Sequence, residues 1–226
     1  MIVDLNLIEK RVLVVGGGNE SSRKVEALLS QQCEIFVVAE KVEKLIQKYA
    51  NEGKISLELL KINNADFIGQ YQHLDLILAT TDNRELNRKI IIFGKKKYSC
   101  YVYAADDPQV SDFTHPSVIN VKDTVQVGIS TGGRSPLIGK SIRKHLEPII
   151  KKSINDLVIS QIKLQEHFRG EIKKMIPTVK FRKKFLIDLQ KDDAINQFLE
   201  EKKINMAREL GCERLDSFIN RNSNNF

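Results

Sequence analysis

The sequence predicts an α/β fold: a parallel sheet wound by helices, then a segment that is almost entirely helical. Three observations carry this. Apolar runs such as "RVLVVG", "EIFVVAE" and "LDLILATTD" are continuous rather than alternating, the mark of strands buried on both faces. Stretches with helical periodicity separate these runs, the pattern of a doubly wound sheet. From Ser135 onward the periodicity stays helical.

Each element has its own signal. "RVLVVG" is the first strand and "SSRKVEALLSQ" the helix after it; "EIFVVAE" is the second strand. "VEKLIQKYANEG" reads as a helix ending at Gly53, a C-cap residue. "ISLELLKI" is a short third strand and "LDLILATTD" the fourth, followed by the helix "RELNRKIIIFGKKK" and a fifth strand, "SCYVYAAD". Beyond Pro108, "SVINVKDTVQVGIST" predicts a hairpin, Val118 to Val121 and Val125 to Ser130, turning at Lys122-Asp123. "SPLIGKSIRKHLEPII" opens with Ser135 as N-cap and Pro136 in the first helical position. "INDLVISQIKLQEHFRGEIKKMI", "VKFRKKFLIDLQ" and "DAINQFLEEKKINMARELG" are three further helices, and the tail "NRNSNNF" is expected to fray.

Composition excludes several classes. Hydrophobic content of 42% and charged content of 29% fit a soluble globular protein. No apolar run spans a bilayer, and the N-terminus lacks the basic and apolar blocks of a signal peptide, so neither membrane nor export is expected. Three scattered cysteines, Cys33, Cys100 and Cys212, match no zinc or disulfide spacing and point to a reducing cytoplasm. The net charge is +7, and the segment from Ser141 holds 18 Lys+Arg against 12 Asp+Glu, leaving a surplus of only one before it. Such a bias attracts anions, but with no tryptophan, 7% aromatics and no recognition-helix motif it does not read as a nucleic-acid binder.

The chemistry begins at Gly16-Gly17-Gly18-Asn19-Glu20-Ser21, a G-x-G-x-x-S turn between a strand and a helix. The first glycine permits the tight turn, the second admits a pyrophosphate to the backbone, and serine stands in for the small residue of helix–strand packing. The helix N-terminus behind it favours an anion. Glu40, 22 residues after Gly18 at the end of the second strand, is placed for a ribose hydroxyl and selects NAD over NADP; it could equally cap the next helix. Thr80 and Thr81 end the fourth strand at the carboxyl edge, where open α/β sheets bind ligands, while Thr81 or Asp82 also suits an N-cap.

These motifs together resemble a family. "VLVVGGGNESSRK", "ATTDNRELN", "VYAADDPQVSDFTHPSVI" and "VQVGISTGGRSPLIGKSIRKHLE" are similar to the siroheme-synthase N-terminal family, the precorrin-2 dehydrogenases, some of which are also sirohydrochlorin ferrochelatases. The resemblance runs to about Glu147, and Ser130-Thr131-Gly132-Gly133-Arg134-Ser135-Pro136 is its most specific part. It implies an NAD-binding Rossmann domain over 1–114, a small dimerisation region over 115–150 and a helical domain over 151–226, assembled as a homodimer. The implied reaction is NAD-dependent dehydrogenation of precorrin-2 to sirohydrochlorin, with Fe2+ as a further substrate in bifunctional members. No methyltransferase domain is expected within these 226 residues.

Residue by residue, the resemblance implies cofactor contacts from Gly16, Gly18, Asn19, Glu20, Glu40, Lys41, Thr80 and Thr81. Glu20 and Ser21 replace the valine and alanine usual in the family, and Arg23-Lys24 match its Arg-Lys pair. Asp106, in "ADDP" with Asp107 beside it, aligns with the catalytic aspartate; without the resemblance the same acids read as a turn before proline. Ser130, Thr131, Gly132 and Arg134 fall on the substrate side, where a backbone nest and a guanidinium suit a polycarboxylate, with Arg143 and Lys144 near them. His115 is more often structural than a ligand; His73, His145 and His167 show no ligand spacing, and no resident metal is expected. The alternative is a non-catalytic NAD-sensing Rossmann module, which would need neither Asp106 nor the Ser-Thr-Gly-Gly-Arg-Ser-Pro segment.

Overall fold

Val, Ile and Leu runs form the central strands because both their faces meet helices and neither meets water. The computed structural model describes residues 2–222 and divides into two units. The first holds the chain up to Pro116 together with Ser130–Ser135; the second holds Ser117–Ile129 and the chain from Pro136 on.

The first unit alternates β1 (Arg11–Val15), α1 (Asn19–Leu29), β2 (Glu34–Ala39), α2 (Lys44–Asn51), β3 (Ser56–Leu59), a 3-10 turn (Asp66–Gln70), β4 (Leu76–Ala79), α3 (Arg84–Tyr98) and β5 (Tyr101–Ala104). Its sheet runs β3-β2-β1-β4-β5 and every pair is parallel. After β3 the chain crosses back over β1 to form β4. The crevice between β1 and β4 is therefore the topological switch point, where such sheets bind ligands. Alternate residues of β1 feed two cores. Leu13 and Val15 join Ile77, Val102 and α3's Ile90 and Ile91 on one face. Val12 and Val14 join Val37, Leu78 and α1's Val25 and Leu28 on the other.

The second unit contains the hairpin β6 (Ser117–Val121) and β7 (Val125–Ile129), then α4 (Pro136–Ser153), α5 (Asp156–Met175), α6 (Val179–Lys191), α7 (Asp193–Glu200) and α8 (Ile204–Asn222). Three residues join the strands, of which Lys122 and Asp123 both have left-handed φ, 52° and 49°, and the Thr124 N–H closes on the Val121 carbonyl at 3.2 Å. Phe168, Phe185 and Phe218 meet edge to face at the centre of the helical core.

The sequence-based expectations need five adjustments. "DAINQFLEEKKINMARELG" is two helices, because Lys202 takes a φ of 59° and breaks the run between α7 and α8. The 3-10 turn was not expected; its five residues are too short to carry a periodic signal. α3 is capped by Asn83, whose side chain accepts from the Leu86 N–H at 3.0 Å, rather than by Thr81 or Asp82. In the tail, residues 220–222 complete α8, and the last four lie outside the described residues. Gly53, expected as the C-cap of α2, follows the Glu52 cap with a φ of 67°.

Candidate active site

The glycine turn is built by exclusion. Gly16 has a φ of 125°, and a Cβ there would lie 2.8 Å from the Thr80 carbonyl oxygen. A Cβ on Gly17 would lie 1.9 Å from the Lys41 carbonyl oxygen, because the end of β2 folds directly over the turn. Gly18 is the N-cap of α1, makes no side-chain capping bond and has open space where a Cβ would stand. An eleven-residue helix thus presents its first turn toward the switch point with no side-chain capping bond at its N-cap. These features fit a pyrophosphate.

Ser21 explains itself at the next step. It is fully buried, and its hydroxyl lies 2.7 Å from that of Thr80, which also donates to the Val15 carbonyl at 3.0 Å. The third fingerprint position takes serine because the strand facing it offers a hydroxyl. Thr80 in turn occupies the space that Gly16 leaves. Its side chain is committed to binding β1, β4 and α1 together.

Two carboxylates follow β5 and have opposite surroundings. Asp106 is exposed; Asp107 is 2% exposed. Asp107 accepts from the Gln109 N–H at 3.2 Å and lies 3.6 Å from Arg84 at the start of α3. Ser111 donates to the Asp107 carbonyl at 2.9 Å and accepts from the Ala104 N–H at 2.9 Å, closing the loop on β5. Asp106 accepts at Oδ1 from Asn87 Nδ2 at 3.0 Å, and Asn87 is also bonded to Thr81. Asn87 escaped the sequence reading. Its signal was there: a polar residue on the buried stripe that holds Leu86, Ile90 and Ile91.

Glu20, the acid nearest the glycine turn, is neutralised in place. Lys24 lies 3.1 Å from it and Arg23 3.7 Å. The Lys24 ammonium also sits 4.8 Å over the Tyr103 ring, which packs on Phe113 and His115 with centroids 5.6 and 4.6 Å away. Burial pulls the Lys24 ammonium below its ordinary range, and Glu20 opposes that shift. Tyr103 is pushed up to about 12, first by burial and then by the charges of Glu20 and Asp106. The His115 ring loses hydration against the aromatic pair and faces the Lys24 charge, which together pull it down to about 4; Glu20 works against them. His115 is nonetheless an exposed residue, and its contact with solvent weakens the desolvation behind this shift.

Residues 3–117 match the family model described as "Putative NAD(P)-binding". The chain is 30% identical over 181 residues to the siroheme synthase of Nitrosococcus oceani, covering 80% of this chain and 36% of that protein. It is 28% identical over 206 residues to the siroheme synthase of Actinobacillus pleuropneumoniae serotype 7, covering 91% of this chain and 40% of that protein. The chain belongs to the siroheme-synthase N-terminal family. It spans well under half the length of these curated relatives. Its fold is that of the solved structure "SirC, precorrin-2 dehydrogenase", with a TM-score of 0.66 and 21% identity, covering 92% of this chain and 98% of that one.

For this family the geometry groups some expected site residues and leaves others apart. Gly16, Gly18, Asn19, Glu20, Thr80, Thr81 and Asp106 all lie at the carboxyl edge of one sheet, at the ends of β1, β4 and β5. Glu40 and Lys41 end β2 beside them, both exposed, and the cap of α2 is Glu43 rather than Glu40. Ser130, Thr131, Gly132 and Arg134 form their own turn. Ser130 Oγ accepts from the Gly132 N–H at 3.1 Å, the Thr131 carbonyl from the Arg134 N–H at 3.2 Å, and Thr131 Oγ1 from the Ser135 N–H at 3.1 Å. Arg143 is paired with Glu147 at 2.6 Å, which also holds Lys151. Among the described residues no three His, Cys, Asp or Glu side chains group to hold a metal ion, and no helix is long and apolar enough to cross a membrane.

Proposed function

We propose that the chain is a precorrin-2 dehydrogenase, oxidising precorrin-2 to sirohydrochlorin with NAD. The relatives' names supply the substrate class, and the first unit supplies groups for the chemistry. The observation that carries the reading is Asp106: an exposed carboxylate at the same sheet edge as the glycine turn, gripped on one oxygen by a buried amide. A dehydrogenation of this kind removes two electrons and one proton as a hydride, and a second proton separately. NAD supplies the hydride acceptor when bound. Asp106 takes the remaining proton.

The chain's other residues bind and orient. The Gly18, Asn19 and Glu20 backbone meets the pyrophosphate, with Lys24 cancelling the charge of Glu20. Gly16 and Thr80 keep the turn open, Thr81 lines the nicotinamide end, and Glu40 with Lys41 meets the adenosine ribose. Ser130, Thr131, Gly132 and Arg134 receive the carboxylates of the tetrapyrrole. The protein works as a homodimer in the cytoplasm. What supports the dimer is an exposed apolar stripe on α4: Leu137, Ile142 and Ile149 are 81, 41 and 54% exposed. Ferrous ion is a substrate of a second step, in which Asp106 accepts pyrrole protons.

The test is anaerobic incubation with precorrin-2 and NAD, following sirohydrochlorin absorbance, then addition of Fe2+. Asp106→Ala is expected to abolish turnover while NAD affinity by calorimetry stays within about twofold, since the pyrophosphate site is elsewhere on the sheet edge. Undiminished conversion in that variant overturns the assignment. NAD binding with no conversion in the unaltered protein would favour the sensing module instead.

A further inference from the structure

The Asn87 side chain is fully buried in the first turn of α3, and all its hydrogen-bonding capacity is used. Its Oδ1 accepts from the Thr81 N–H at 3.1 Å and from the Thr81 hydroxyl at 2.7 Å. Its Nδ2 donates to the Thr81 carbonyl at 2.9 Å and to Asp106 Oδ1 at 3.0 Å. This set fixes which way the amide points. Reversed, it would set NH2 against the Thr81 N–H and oxygen against a carboxylate. At the start of the same turn Arg84 reaches to 3.6 Å from Asp107, so the start of α3 touches both acids of the loop.

We infer that Asn87 is a positioning residue that aims the Asp106 carboxylate and ties it to the Thr81 segment at the end of β4. With Oδ1 held by the amide, Oδ2 is the oxygen left to take the proton. A network that is buried and fully satisfied has one geometry, which an exposed aspartate on a loop would otherwise lack. The inference rests on the reading of Asp106 as proton acceptor.

Asn87→Asp keeps size and shape and still accepts from Thr81, but it loses the donor and sets a second carboxylate against Asp106. Expected is a kcat about 30-fold lower or more, with the KM for precorrin-2 and the Kd for NAD each within about twofold. The exchanged pair Asn87→Asp with Asp106→Asn restores a donor and an acceptor across the contact. It should recover part of the melting temperature lost in the single variant, the part that belongs to the Asp106 contact, while the Thr81 carbonyl stays without its donor. A fall in kcat alone in Asn87→Asp, with KM and Kd unmoved, is the split that a purely structural asparagine would not produce. Should Asn87→Asp fail to melt cooperatively, Asn87→Ser, too short to reach Asp106, is measured in its place with the same expectation. A kcat within twofold of the unaltered protein, beside an inactive Asp106→Ala, removes this inference alone. Full turnover in Asp106→Ala removes the catalytic reading and this inference with it.

Discussion

The glycine turn and the aspartate loop lie at the same edge of the same sheet and are held by opposite means. The turn is shaped by what is missing: Gly16 and Gly17 have Thr80 and Lys41 backbone where a Cβ would stand. The loop is shaped by polar contacts: Asn87 holds Asp106 and the Thr81 segment, Asp107 accepts from the Gln109 N–H, and the Ser111 hydroxyl ties the Asp107 carbonyl to β5. A cofactor turn must let a ligand approach the main chain, so side chains are removed. A carboxylate that moves protons must point in one direction, so side chains are added.

The sharpest way to break this contrast is Gly17→Ala. A Cβ placed 1.9 Å from a carbonyl oxygen forces the end of β2 off the turn, and the cost is roughly 3 kcal/mol or more. Gly18→Ala, one position on, meets nothing within 4 Å. Its melting temperature should stay near that of the unaltered protein while NAD affinity falls, because the methyl group stands where the pyrophosphate approaches. Equal melting temperatures for the two alanine variants would show that exclusion does not shape the turn.

On the loop, Asp107→Ala should cost about 1 kcal/mol in urea unfolding, since it removes the acceptor of the part-buried Gln109 N–H bond. Asp107→Asn leaves that N–H an acceptor and should cost less. If alanine and asparagine are equally tolerated, the buried acid is not what closes the loop.

The contrast also explains how much could be read beforehand. Absence is visible in a sequence: three glycines after "VLVV" announce the turn, and the apolar runs announce the strands and their burial. Right-handed crossovers narrow the possible strand orders once the elements are known. Networks are not visible in that way. Asn87 looks like one more polar residue in "RELNRKI" until helix geometry sets it on the buried face beside Ile90 and Ile91. The role of Ser21 needed Thr80, 59 residues away, to be placed against it. Lys202 lies between "LEE" and "KINMAREL" with no glycine or proline to mark the break, so a left-handed lysine stayed hidden in a helical pattern.

Smaller in effect, Lys24→Met should weaken NAD binding roughly three- to tenfold by uncovering the charge of Glu20 beside the anion site. Adding Glu20→Gln should restore most of the loss. Calorimetry on the single and double variants measures both; equal affinity throughout would mean that Glu20 does not face the pyrophosphate.

The same pair makes a finer prediction where the two regions meet, at His115. Its ring is held below the ordinary histidine range first by burial and then by Lys24, while Glu20 pulls the other way. The folded state therefore resists a proton that the unfolded chain accepts near pH 6.5. Below that pH the unfolded state binds more protons, so His115 subtracts stability as pH falls from 6.5 toward about 4, and it contributes no slope above that window. His115→Gln should flatten this part of the stability profile. Imidazole titration by NMR separates the causes by sign: Lys24→Met should raise the midpoint and Glu20→Gln should lower it. Shifts in the same direction would mean that the two charges do not act on the ring as a pair. The aromatic packing of Tyr103 and Phe113 would then account for its neutrality without help from the glycine-turn helix.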